Sequence, residues 1–305
     1  MDAIYNGLDD FTRDTVDNPA EFKLKIKYFL DGSVDFVTSR IKHRIDKSKE
    51  AFKGFGYMHS KCLSDDEMIE KARQNVLRAN RHAKEKIAYA IRQIGADHML
   101  TLTTRENISD RDIFFKTFSR FIRLVREKDL IQGQLVARKA KRDYPYCSVP
   151  EFQERGAFHM HVACVGKQDI PLLRACWYVA LGGSINDSKE NALGQIDVQF
   201  RQKRFGSDTD VYNAFKLVHY LTKYITKDFE SDETLGLHRY KVSRQIPPPI
   251  IHKQYLMACF SFGEKGFTDA IIETLNIAKF IGINGDLQLW NRGVDLFMVR
   301  GFLDE

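Results

Sequence analysis

Two short runs of this chain carry residues that can do chemistry. The first is His219-Tyr220-Leu221-Thr222-Lys223-Tyr224-Ile225-Thr226-Lys227, which interleaves two phenols with two ammonium groups at helical spacing. Residues four apart share one face of a helix, with Cβ atoms about 5–6 Å apart. Lys216, Tyr220, Lys223, Tyr224 and Lys227 therefore fall on one stripe, while Leu217, Val218, Leu221 and Ile225 form an apolar side that would dock on a body. Phenolic oxygens beside cations are nucleophiles next to groups able to hold phosphate. A merely solvated amphipathic helix carries such a stripe as well, so a second signal is needed.

The second run, from Glu151 to Cys164, reads as a β-hairpin whose second strand bears His159 and His161 on either side of Met160. Side chains at i and i+2 of a strand point to the same face, so the two imidazoles stand side by side. A three-residue turn at Glu154-Arg155-Gly156, with Gly156 supplying a positive φ, sets Glu151 opposite His159. A two-residue turn would shift Glu151 away. In the first register His159, His161 and Glu151 make a donor set suited to a divalent ion that also binds a substrate oxygen. Two histidines on one strand also occur for purely structural reasons.

Phe158-His159-Met160-His161-Val162 resembles the His-hydrophobic-His motif of the HUH endonucleases, and Tyr220-Leu-Thr-Lys-Tyr224-Ile-Thr-Lys227 resembles the paired-tyrosine motif of their rolling-circle replication initiators of the phage and plasmid type. Leu100-Thr-Leu-Thr-Thr104 is similar to the Thr-rich strand that precedes the metal motif in that family, and the three elements occur in the family's order. The resemblance spans roughly residues 97–245. It implies a palm-like antiparallel sheet with the histidines on a central strand. It also implies a nicking and joining enzyme that cleaves single-stranded DNA or an origin hairpin through a 5′-phosphotyrosine link. Catalytic roles then fall to Tyr220, Tyr224, Lys223 and Lys227, and Mg²⁺ or Mn²⁺ to His159, His161 and Glu151. A relaxase or transposase using the same chemistry, a non-catalytic DNA-binding protein and a metal-dependent hydrolase acting through activated water are the competing readings.

Charge distribution points the same way. The net charge is +6, but from Lys116 to Arg142 nine Lys/Arg face only Glu127 and Asp129. A basic surface suits a polyphosphate ligand, and Lys116, Arg120, Arg123, Arg138, Lys139, Arg155 and Lys216 are the expected DNA contacts. No G-x-x-x-x-G-K-[ST] sequence is present, since Val165-Gly166-Lys167 lacks the upstream glycine and the Ser/Thr. A helicase and a polymerase of the host are therefore expected partners. No apolar run is long enough to span a bilayer and the start lacks the pattern of a signal peptide, so no membrane partner and a cytoplasmic location are expected. Five cysteines, widely separated and without a C-x-x-C pair, suggest neither a disulfide framework nor a structural zinc site.

The elements that would position these groups can be read in outline. Ser64-Asp65-Asp66-Glu67 is a capping box opening a long helix that Gly95 ends. His98 to Thr104 alternates as a strand, Ser109 to Arg126 is an amphipathic helix, and Pro171 to Leu181 is a helix stopped by Gly182-Gly183. Gln195 to Phe200 is a strand, and Asp208 or Thr209 starts the tyrosine helix. The expected fold is α+β, a central antiparallel sheet flanked by helices, with extra helical N- and C-terminal regions. The expected division is an accessory region over 1–63, the endonuclease domain over 64–246 with its core at 97–230, and a C-terminal helical region over 247–305. Helical stretches are expected near 252–260 and 267–280.

Overall fold

The computed structural model describes residues 22–41, 64–188, 191–200, 212–227, 239–244, 246–256, 263–293 and 296–303. Of these, 200, 212–216, 224, 226–227, 263–265 and 284–286 are described through the backbone alone. The chain divides into two compact units. One is Leu63–Pro248, and the other joins the two ends of the chain, Met1–Cys62 and Pro249–Glu305.

The central unit is a five-stranded antiparallel sheet with helices on both faces. Its strands are β3 (His98–Thr104), β6 (Tyr146–Phe152), β7 (Phe158–Cys164), β8 (Gly194–Phe200) and the short β9 (Lys241–Val242), in the order β8-β3-β7-β6-β9. A separate hairpin pairs β4 (Lys128–Ile131) with β5 (Gln134–Ala137). The helices are α1 (Asp65–Ile94), α2 (Arg111–Glu127), α3 (Ile170–Leu181) and α4 (Tyr212–Lys227).

Strand parity sorts the two layers. Leu100, Leu102, Met160, Val162, Cys164 and Ile196 point to one face, where they pack with Phe114, Phe118 and Phe121 of α2 and with Trp177 of α3. Met99, Cys147, Val149 and Ala163 point to the other, against Ala83, Ile87 and Ile91 of α1 and Leu221 and Ile225 of α4. The histidines share the parity of Ala163 and so lie in the α1/α4 layer.

Local sequence accounts for the boundaries. The Ser64 side chain accepts from the Glu67 amide while Glu67 reaches back to the Ser64 amide, and Gly95 closes α1 in the left-handed region at φ 58°. Asp110 and Asp169 cap α2 and α3 by accepting from the amides of Ile113 and Leu172. Pro150 is tolerated inside β6 because β9 pairs only with Cys147 and Ser148, so no ladder bond is demanded of it on that side. The start expected for the tyrosine helix at Asp208 or Thr209 lies outside the described residues.

The second unit corrects the reading of the flanks as helical. It is another five-stranded antiparallel sheet, formed by β1 (Phe22–Tyr28), β2 (Ser33–Arg40), β10 (Ile250–Tyr255), β11 (Ile283–Arg292) and β12 (Leu296–Leu303) in the order β10-β1-β2-β12-β11. One helix, α5 (Gly263–Phe280), packs on it through Phe267, Ala270 and Ala278. The expected helix near 252–260 meets strand β10, whereas that near 267–280 is found within α5. Alternation decides the strand: Phe22, Leu24 and Ile26 are buried while Lys23, Lys25 and Lys27 are not, a period of two that no helix face can use. The accessory and C-terminal regions are thus two halves of one sheet, β1 pairing with β10 and β2 with β12.

Candidate active site

The hairpin takes the register that brings Glu151 opposite His159, with Val149 opposite His161. Gly156 adopts φ 82° in the turn, which is closed by the Gln153 and Gly156 amides donating to the Ala157 and Gln153 carbonyls. Glu151, His159 and His161 therefore share one face.

Both nitrogens of His161 are engaged. Nε2 lies 2.8 Å from Glu151 Oε2, and Nδ1 lies 3.2 Å from the hydroxyl of Thr101, the residue directly opposite on β3. With His161 only 3% exposed, this pairing is what makes a buried imidazole tolerable. In the tautomer that carries its hydrogen on Nε2, the carboxylate accepts from Nε2–H and the Thr101 hydroxyl donates to Nδ1. Thr101 is a site residue that the sequence motifs do not single out. Its signal is the parity of the Thr-rich strand, which points Thr101 at the same face as the histidines.

His159 is half-buried, and its pKa is pulled down to about 4. Burial is the largest cause and His161 adds to it, Glu151 opposes it, and Arg155 lowers it further. The imidazole is therefore neutral at physiological pH, the form that can donate a lone pair. Among the described residues, no three His, Cys, Asp or Glu side chains are gathered into a ready metal cluster.

Helix α4 brings the tyrosine run to this face. Leu221 and Ile225 are buried against Val149 and Ala163, each contributing about 1.5–3 kcal/mol of burial. Docked this way, Tyr220 meets His161 edge-on with ring centroids 5.6 Å apart, and it remains 37% exposed. Lys223 is exposed on the same helix. Tyr224, Lys227 and Lys216 have their backbones in α4, but their side chains lie outside the described residues.

The expected DNA contacts separate into two groups. Lys116, Arg120 and Arg123 are exposed on α2 and, with Lys241, line an open basin of about 690 Å³. This basin belongs to the layer opposite the histidines. Lys241 donates to Ser119 Oγ at 2.9 Å and sits 4.6 Å over the Phe115 ring, its pKa lowered by burial. Other cations are occupied. Arg138 and Arg142 both bind the Asp129 carboxylate, and Lys141 pairs with Glu127 at 2.8 Å. Arg155 donates to the Thr104 carbonyl and to Gln153 Oε1, tying the hairpin turn to the end of β3. Lys139 is exposed.

Cys147, Cys164 and Cys176 are free and buried, and burial pushes each thiol up to about 12. Cys62 and Cys259 lie outside the described residues. Among the described residues no helix is long and apolar enough to cross a membrane.

No curated protein and no solved structure matches the chain. Residues 97–229 match the family model of the replication-associated protein of the ORF2 type, a family of rolling-circle replication initiators, and that stretch contains Thr101, Glu151, His159, His161, Tyr220 and Tyr224. In this part of its length, the chain fits a replication-associated protein of the Rep type.

Proposed function

We propose that the chain nicks single-stranded DNA at an origin and rejoins the ends through a tyrosine-linked intermediate, initiating rolling-circle replication. The contact of Tyr220 with His161 carries this reading. Two motifs about 60 residues apart in sequence converge on one face, and packing alone does not require a phenol there.

In this reaction the oxygen of Tyr220 or Tyr224 attacks the scissile phosphorus in line and the P–O3′ bond breaks. The 5′ phosphate stays on the phenol and the departing strand end becomes a 3′-hydroxyl, taking up a proton to balance the one the phenol gives up. A phenol, with a pKa near 10, leaves more readily than a sugar hydroxyl. A later 3′-hydroxyl can therefore take the phosphate back without a nucleotide cofactor. A second tyrosine one helical turn away, about 5.4 Å along the axis, allows a second cleavage while the first stays loaded.

The donor set suits Mg²⁺ or Mn²⁺, with His161, His159 and Glu151 as the residues that would hold it. His161 Nε2 and Glu151 Oε2 stand 2.8 Å apart, close enough that the two donors would be able to share one ion. When bound, such an ion polarises a phosphoryl oxygen. Thr101 serves either state of His161, since its hydroxyl can donate to Nδ1 or accept from Nδ1–H. Lys223 and Lys227 offset developing charge. Lys116, Arg120, Arg123, Lys139 and Lys216 contact phosphates, while unwinding and synthesis fall to a host helicase and polymerase.

The test is incubation with a labelled single-stranded circle and Mg²⁺ or Mn²⁺, followed by a search for a covalent protein–DNA adduct. The wild-type chain should form it. One single Tyr→Phe variant should keep the first nick and lose the second transfer, and the Tyr220→Phe, Tyr224→Phe double variant should form none. An adduct from the double variant would place the nucleophile elsewhere and end this reading.

A further inference from the structure

The sheet formed by the two ends of the chain has one face packed on α5 and another that carries a second chemistry. Register defines that other face. Lys23, Lys25 and Lys27 of β1 stand opposite Tyr255, Lys253 and Ile251 of β10. Across the sheet, Val37 stands opposite Met298, and Met298 opposite Trp290 of β11. These positions alternate with the buried row of Phe22, Leu24, Ile26 and Val299, so they lie together on the side away from α5.

Two properties of this face point to a ligand. The first is crowded positive charge: the Lys25 pKa is lowered by burial and, beyond that, by repulsion from Lys23, Lys27 and Lys253. Among the described side chains of this face, the acid Asp35 is bound through both carboxylate oxygens by Arg300, at 2.5 and 3.1 Å. The second is exposed aromatic surface at both edges, with Tyr255 68% and Trp290 43% exposed. Arg300 lies 5.2 Å from the Trp290 ring centroid, which helps to fix the indole.

We propose that this open face binds single-stranded nucleic acid, with the lysines on phosphates and Tyr255 and Trp290 stacking on bases. A polyanion relieves the mutual repulsion of the lysines. Aromatic faces on an antiparallel sheet are platforms for unpaired bases, which a duplex keeps stacked inside itself. An acidic peptide would satisfy the lysines but leave the rings unused. The proposal stands apart from the nicking reaction, since it involves none of the residues of the His/Tyr site.

The chain has two tryptophans, and the other, Trp177, is fully buried with its indole N–H donating to the Thr103 carbonyl. Quenching of tryptophan emission in the full chain by oligo(dT) therefore reports on Trp290. We expect quenching that Trp290→Phe removes, and a Kd about 5- to 150-fold weaker in Tyr255→Ala, the loss corresponding to one stacked base at about 1–3 kcal/mol. Replacing Lys23, Lys25 and Lys253 together by Gln should lower the salt slope by about 2, three contacts at about 0.7 each. Each variant is accepted only with a wild-type melting curve. Unquenched emission while labelled oligo(dT) binds would overturn the proposal. So would equal quenching by a duplex of the same length, or a salt slope unchanged in the lysine variant. The Tyr220→Phe, Tyr224→Phe chain should show the wild-type quench, so failure of the nuclease reading and failure of this one give different results.

Discussion

The sheet β8-β3-β7-β6-β9 is covered on both faces, by α2 and α3 on one and by α1 and α4 on the other. The sheet β10-β1-β2-β12-β11 packs α5 on one face, and among the described residues no helix packs on the other. Both have five antiparallel strands, yet they treat polar groups in opposite ways. Under α4 a polar side chain must find a partner, because an unpaired buried group costs about 1–3 kcal/mol. His161 accordingly has both nitrogens occupied, by Glu151 and Thr101. On the open sheet, four lysines crowd around one another, and their repulsion adds to burial in lowering the Lys25 pKa. Covering fixes the orientation of a few groups, which suits making and breaking bonds. Leaving a face open keeps charge available, which suits holding a flexible polyanion.

The sharpest way to break this contrast is at a charge that the open sheet buries. Asp35 is 2% exposed and depends on Arg300. Arg300→Met keeps the aliphatic stem but removes the guanidinium that binds both oxygens of this buried carboxylate. Removing one member of a buried pair costs about 3–5 kcal/mol, and denaturant unfolding should show a loss of that order. The Asp35→Asn, Arg300→Met double variant should recover much of it. A loss below about 1 kcal/mol in the single variant would mean that Arg300 is not what makes the buried Asp35 tolerable, and the contrast would lose its support at this point.

A smaller effect sharpens the covered side. Thr101 touches no substrate in the proposed reaction and acts by holding His161, so it is a positioning residue. Thr101→Val keeps shape and strand propensity while deleting the hydroxyl. Loss of such an outer partner typically costs about 10–100-fold in metal affinity or activity. The Mg²⁺ or Mn²⁺ concentration giving half-maximal nicking should rise by that order, with Thr101→Ser restoring it. An unchanged metal dependence would reduce Thr101 to a packing residue.

Legibility in the sequence followed how local each cause is. The His/Glu register was readable because it depends on one turn, Glu154-Arg155-Gly156, and on the parity of two adjacent strands. Helix α1 was readable from Ser64, Glu67 and Gly95, all within its own ends. The flanking sheet was not, because β1 meets β10 from the far end of the chain. The basic run from Lys116 to Arg142 hid a further long-range effect. Gln132 and Gly133 turn with positive φ, 47° and 72°, folding β4 onto β5 so that Asp129 can reach Arg138 and Arg142. Counting charges treated these cations as equivalent to Lys116, Arg120 and Arg123, and only the hairpin separates them.

The smallest expected effect compares two halves of one helix. Residues 65–75 of α1 are almost entirely exposed, whereas Val76 begins the buried row that continues through Asn80, Ala83, Ile87, Ala90 and Ile91. The docked half is held by tertiary contacts in the layer that also receives Leu221 and Ile225 of α4. The free half is held chiefly by its own turns and by the Ser64–Glu67 capping box. Ser64→Ala removes the acceptor for the Glu67 amide, at a typical cost of about 1 kcal/mol. That loss should appear as faster amide exchange over residues 65–75, with protection from Ala83 onward unchanged, because fraying can stop where burial begins. Nicking should also be unchanged, since α4 is backed by the protected half. If protection fell equally along the whole of α1, the helix would be one cooperative element, and the cap at its exposed end would help to hold the layer that positions Tyr220.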